Sequence, residues 1–313
     1  MRFVLRLVAA VLVSGALYAA ALALGPVAAP CLLLVPLPGL VLANRESFVS
    51  AGLWFCLTMG LVTVALGAET TPAFAFALGL PALAIAAGVR RCWSFERIAL
   101  AGIVAWIAGV GCLAGLAYGG DVAAMIGAAR EQLSNSVTLA LAGAGSADSL
   151  SAVAPLVDAD REALLNALFQ IFPALIVLSG ALTVITNLIL LRSLTGAVHD
   201  VNLRRWRAPD ALIWGLIVAG FAMFLGAPWV SLTARNFFVV ILGCYLCQGL
   251  AIVAYYLDRF RLPRAIRVVG YALIALQHVA TAMVLALGVF DLWGDFRRLS
   301  AGPADVRFNA DNE

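Results

Sequence analysis

Two neighbouring stretches decide the fold, and the first is Asn236–Leu257, NFFVVILGCYLCQGLAIVAYYL. A basic hinge, Asp258–Arg267 (DRFRLPRAIR), leads from it into a second apolar run, Val268–Val289 (VVGYALIALQHVATAMVLALGV). Each run is long enough to cross a bilayer core as one helix, which takes ~20 predominantly apolar residues. Yet Gln248 stands near the middle of the first run, and Gln277 and His278 near the middle of the second. Hydrogen-bonding groups at that depth are costly and turn toward a protein interior or a wet cavity. The two runs therefore predict consecutive membrane helices that face other protein or a bound molecule.

The rest of the chain repeats the pattern. Its 313 residues are 64% hydrophobic and 12% charged, with a mean hydropathy of +1.02, whereas a soluble domain carries about 25% charge. The expected fold is an all-α polytopic transmembrane helix bundle of eight to nine spans. It forms a single membrane domain over residues 1–299, with a polar tail at 300–313. Nine candidate crossings lie at 3–24, 27–43, 48–67, 72–89, 98–118, 164–191, 210–228, 236–257 and 268–289. The apolar run Leu7–Leu24 exceeds the core of a signal peptide, so it reads as an uncleaved first span.

All 20 basic residues are arginine. With the N-terminus cytoplasmic, the inner side collects Arg2, Arg6, Arg45, Arg90, Arg91, Arg97, Arg192, Arg204, Arg205, Arg207, Arg259, Arg261, Arg264 and Arg267. The outer loops receive only Arg130, Arg161 and Arg235. That bias predicts a multi-pass protein of the inner (cytoplasmic) membrane with its N-terminus inside. It also makes Val27–Ala43 a crossing despite Pro30, Pro36 and Pro38, because a re-entrant reading would turn most arginines outward. The carbonyls freed by those prolines then need cover from protein or water.

Gly119–Ala163 is the one sizeable segment outside the spans and is expected on the outer side. Val122, Met125, Ile126, Ala129 and Leu133 predict an amphipathic helix. Ala142–Ser151 reads as a flexible connection, after which Asp158 or Asp160 caps a helix running into the sixth span. The segment is either a lid over an outward-facing site or a surface helix that fills a gap. Beyond Val289, Leu292, Phe296 and Leu299, with Trp293 beside them, predict a short helix on the outer membrane surface.

Candidate chemistry concentrates near the C-terminus. Tyr245, Gln248, Ile252 and Tyr255 share one helical stripe, and Tyr271, His278 and Thr281 have a matching spacing. Together with Gln277, and with Gln170 in a sixth span that Pro173 should kink, these residues can line a solute site. The competing reading is hydrogen bonding between helices. Asn187, one turn from the cytoplasmic end of its span, reads as snorkelling or capping. Gly111, Gly115 and Gly119, and the Ala101, Ala105, Gly109 ridge, suit close helix approach. Cys244 and Cys247 match a redox or metal spacing but lack a second pair, so they read as inert small side chains.

Several classes are excluded or disfavoured. No span carries a central carboxylate for a proton relay, and no His-Glu-x-x-His pair is present for a metalloprotease. Neither a phosphate-binding loop nor a Gly-x-Ser-x-Gly elbow occurs. No metal, no cofactor and no nucleic-acid partner are expected, and an enzyme is the least favoured class.

Gln248-Gly249, Tyr255-Tyr256-Leu257-Asp258, Leu262-Pro263 and above all Gly288-Val-Phe-Asp291-Leu-Trp293-Gly-Asp295-Phe296-Arg297 resemble the YybS-like family. That family comprises uncharacterised multi-pass bacterial membrane proteins grouped as a domain of unknown function. It is distantly similar to the substrate-binding subunits of energy-coupling-factor transporters, which capture a solute and dock on an energising module. The resemblance implies solute capture but transfers no site residue, and those subunits usually have six spans. The expected function is thus a non-enzymatic membrane protein that binds or moves a small solute. Its candidate partners are the lipid bilayer, that solute, and an energising or cytoplasmic protein. The rival reading is a scaffold that recruits a partner through its basic loops and has no substrate.

Overall fold

The computed structural model describes residues 1–144, 154–197 and 203–297, all of them helical or connecting. The chain clusters into two compact units, Met1–Asp200 and Val201–Glu313. Among the described residues, six helices have the length and apolarity of a span: Arg2–Leu24, Phe48–Leu66, Thr71–Arg90, Phe95–Tyr118, Phe172–Thr195 and Pro228–Arg259. A helix pair bent by 99° is a seventh at most. Of the nine expected, 27–43 and 210–228 form apolar helices shorter than these six, Pro30–Arg45 and Leu212–Ala222.

In the first unit, α1 (Arg2–Leu24) is followed by α2 (Ala29–Leu34) and α3 (Leu37–Arg45), short because of their prolines. Arg6 Nη1 lies 2.7 Å from Glu46 Oε1, so the proline-broken return ends beside the start of α1. Pro36 cannot donate to Leu32, and the ladder loosens there. Two buried side chains from other helices supply the missing donors. Ser14 Oγ donates to the Val35 carbonyl at 2.9 Å, and Asn187 Nδ2 to the Leu33 carbonyl at 2.7 Å. Trp54 Nε1 donates in turn to Ser14 Oγ. The expected cover for these carbonyls is therefore protein. Asn187, fully buried, is an internal strut and not a snorkelling or capping residue.

Next come α4 (Phe48–Leu66), with a Ser47/Ser50 capping box, α5 (Thr71–Ala73), and α6 (Leu80–Arg90), which is joined to α5 by a π-helical stretch, Phe74–Gly79. Pro81 has no N–H for the Ala77 carbonyl, and a wide turn in which Leu80 bonds back to Ala75 accommodates the loss. Phe74 is wholly buried against Tyr18, Trp54 and Phe55. The unit is completed by α7 (Phe95–Tyr118), α8 (Val122–Ala144), α9 (Ala154–Gln170) and α10 (Phe172–Thr195). The amphipathic helix expected from Val122 is α8. The connection expected at Ala142–Ser151 lies largely outside the described residues, and α9 begins at Ala154, ahead of the expected Asp158 or Asp160 cap. The helical run is interrupted next to Pro173, as expected: the chain breaks at Ile171, and Pro173 sits in the first turn of α10, where its missing N–H costs least. Gly109 packs on the Phe76 carbonyl and Gly102 on Val184, whereas a methyl group on Gly111 or Gly115 would point into open space.

The second unit contains α11 (Leu212–Ala222), α12 (Pro228–Arg259), α13 (Arg264–Leu276) and α14 (His278–Gly294). Ile213, Ile241 and Tyr245 form the α11–α12 seam. Helices α12 and α14 cross backbone to backbone at two glycines: a methyl group on Gly249 would collide with the Val284 carbonyl, and one on Gly288 with that of Tyr245. The run expected to span as 268–289 is instead broken at Gln277, whose extended backbone ends α13 and opens α14. The surface helix expected through Leu299 stops at Gly294, since Asp295 adopts a left-handed conformation. Leu299, His199 and the tail 300–313 lie outside the described residues.

Candidate functional site

Gln248 is 1% exposed, and both ends of its amide are engaged within the second unit. Its Oε1 accepts from the Ala208 backbone N–H at 3.0 Å, and its Nε2 donates to Asp291 Oδ2 at 3.0 Å. Arg297 Nη2 donates to the same Oδ2 at 2.7 Å, while Arg297 Nη1 donates to the carbonyls of Arg204 and Trp206. The other carboxylate oxygen, Asp291 Oδ1, accepts from the Phe296 N–H, and Tyr256 donates to the Phe296 carbonyl. A buried acid and a buried arginine are thus paired and hydrogen-bonded, the condition under which such charges are tolerated. This clasp binds together the basic loop, α12, the end of α14 and the residues just beyond it.

The clasp also locates Gln248. Its partner Ala208 directly follows Arg204, Arg205 and Arg207, so the glutamine lies level with the basic loop and not halfway along the membrane part of α12. The residues from Pro228 to Cys247 alone match the ~20 needed to cross. Asp258, near the end of α12, pairs with Arg204 at 2.5 Å and with Arg267 at 3.3 Å. Helix α13 therefore starts, and α14 ends, beside the same end of α12. The 99° pair thus forms a wedge with Gln277 and His278 at its bend, the geometry of a broken span or of a re-entrant loop.

The other expected site residues are scattered. Tyr245 is buried in the α11–α12 seam, and its hydroxyl has no hydrogen-bond partner. Tyr255 stacks edge-on against Tyr256. The break at Gln277 removes the regular spacing that put Tyr271, His278 and Thr281 on one face. Thr281 closes the break by donating to the carbonyls of Ile274 and Gln277. Tyr271, Gln277 and His278 are exposed. Gln170 ends α9 in the first unit. The structure thus joins Gln248 to Asp291, Arg297 and Ala208, a set the stripes do not indicate. The signal available for it is an aspartate closing an apolar run, with an arginine six residues later.

A second feature lies in the first unit, where α4, the π-helical stretch, α6 and α7 line a cavity of ≈510 Å³ that is open to the surface. Phe55, Met59, Phe76 and Leu116 supply much of its apolar wall, and Thr63 and Thr71, whose hydroxyls are 2.9 Å apart, its polar part. Gly79 lies flat against the Phe55 ring, and Phe74 stacks parallel to that ring. Cys244 and Cys247 are free thiols, half-buried on adjacent turns of α12. Among the described residues, no three His, Cys, Asp or Glu side chains converge as a metal site.

A family model described as "Predicted membrane protein (DUF2232)" matches residues 8–292. The chain belongs to this family. The matched span takes in both the cavity of the first unit and the Gln248–Asp291 contact of the second. Neither the curated proteins nor the solved structures yield a match to this DUF2232 protein. It is an integral, multi-pass, helical membrane protein in contact with the lipid bilayer.

Proposed function

We propose that this DUF2232 protein is a non-enzymatic membrane component that binds, and helps to move, a small weakly polar solute. The observation that carries this reading is the ≈510 Å³ cavity among α4, α6 and α7. Its size falls within the range of small-molecule sites, and a largely apolar wall with a few placed hydroxyls is the usual composition of such sites. The π-helical stretch beside it supports the reading, since such turns concentrate at functional sites. Solute capture also suits the resemblance to YybS-like proteins and, through them, to energy-coupling-factor subunits. The arginine distribution supports an inner-membrane location with the N-terminus cytoplasmic.

Gln248 is buried within its clasp, which moves the favoured binding surface to Phe55, Met59, Phe76 and Leu116, with Thr63 and Thr71, bonded to each other and to the Met59 and Gly67 carbonyls, as its polar edge. Tyr271, Gln277 and His278 favour a second reading for the other unit: a partner protein covers the wedge. Helix α13 has no buried residue, and broken backbone at membrane depth needs cover from protein or water.

The test is mass spectrometry of small molecules that co-purify with the wild type and with Ala75→Phe, which fills the cavity. A molecule carried by the wild type and lost from the variant supports the proposal. The same molecules at the same level in both samples would overturn it.

A further inference from the structure

We propose that the corner between α12 and α13 is a docking surface for the headgroups of anionic phospholipids. Arg259, Arg261 and Arg264 are exposed there, and none has a carboxylate partner among the described residues. Asp258, beside Arg259, is already shared between Arg204 and Arg267. Phe260, Ile266 and Val269 stand between the arginines or just beyond them, and each is at least half exposed. Cations with interleaved apolar side chains match an anionic interface in both charge and depth: the headgroup phosphate meets guanidinium while the apolar groups enter the acyl boundary. Guanidinium suits phosphate because its planar fork donates two hydrogen bonds at once.

The backbone supplies an independent observation. Helix α12 ends in a Schellman turn: the Leu262 N–H bonds to the Leu257 carbonyl and the Arg261 N–H to that of Asp258. The residue after the cap must then be left-handed, a place that glycine fills without strain. Arg261 occupies it with φ 52°. The chain thus accepts a strained backbone to hold a guanidinium at this corner, and strain of this kind is characteristic of functional positions.

That strain also provides a test in which loss of fold is not the expected result. In Arg261→Gly the turn keeps its preferred residue and only the side chain is lost. The full-length protein is equilibrated in bilayers of equimolar phosphatidylglycerol and phosphatidylcholine, and the lipids it retains are counted by native mass spectrometry. The wild type is expected to enrich phosphatidylglycerol. Arg261→Gly reduces that enrichment about fivefold, the factor equivalent to ~1 kcal/mol per arginine, with an unchanged or higher thermal midpoint. Arg90→Gln/Arg91→Gln, at a basic loop of the other unit, leaves it unchanged. Equal enrichment in wild type and Arg261→Gly, or an equal loss in the Arg90/Arg91 variant, overturns the site. Abolition of the preference by soluble glycerol phosphate also overturns it, by indicating a free phosphate ligand in place of a lipid.

Discussion

Asp291 and Arg297 hold each other with side chains only 1% and 0% exposed, so neither can be removed without stranding the other in a desolvated place. Breaking a buried pair from one side costs about 3–5 kcal/mol. Arg297→Ala should therefore lower the unfolding free energy by about that much in a thermal or denaturant titration of the purified protein. Arg6→Ala, at a pair whose side chains are 49% and 25% exposed, should cost less than about 1 kcal/mol. A comparable loss in both variants would show that the clasp is not desolvated. Asn187→Leu makes the same point for a neutral group. It leaves the Leu33 carbonyl buried without its donor, at about 1–3 kcal/mol, although leucine is the more apolar residue for a span. In the sequence Asn187 reads as an end-of-helix residue because its partner is 154 positions away in the chain. Distant pairings of this kind leave no periodic trace.

At the scale of elements, close backbone approach separates glycines that the sequence alone presents as equals. A methyl group on Gly249 would strike the Val284 carbonyl, whereas one on Gly115 would meet open space. Gly249→Ala should destabilise by about 1–3 kcal/mol through overpacking. Gly115→Ala should be neutral or mildly stabilising, since alanine suits a helix interior better by ~1 kcal/mol. Equal effects on the unfolding midpoint would mean that α12 and α14 do not cross where described. Helix periodicity correctly places Tyr245, Gln248, Ile252 and Tyr255 on one stripe of α12, since α12 is unbroken. It fails for Tyr271, His278 and Thr281 because neither glycine nor proline marks the break at Gln277. The threonine hydroxyl that takes up the freed Ile274 carbonyl does so through local hydrogen bonding, which hydropathy does not register.

At the scale of the whole chain, composition is enough to establish a multi-pass helical membrane protein, while the number of crossings depends on where apolar runs bend. A run such as Val268–Val289 has the hydropathy of a span whether it passes through or turns back. In the second unit the contacts at its ends place the start of α13 beside Asp258 and the end of α14 beside Tyr256, which predicts a run that turns back. The consequence can be read by labelling. In a background freed of the six native cysteines, single cysteines at Arg261, Phe296 and Gly226 report the two ends of α12 and the end of α14. Phe296→Cys should react with a membrane-impermeant thiol reagent from the same side as Arg261→Cys, and Gly226→Cys from the opposite side. Reaction of Phe296→Cys together with Gly226→Cys would mean that the bent pair passes through the bilayer. The Tyr256–Phe296 contact would then have to be absent in the membrane, and Arg297 could not reach the carbonyls of Arg204 and Trp206.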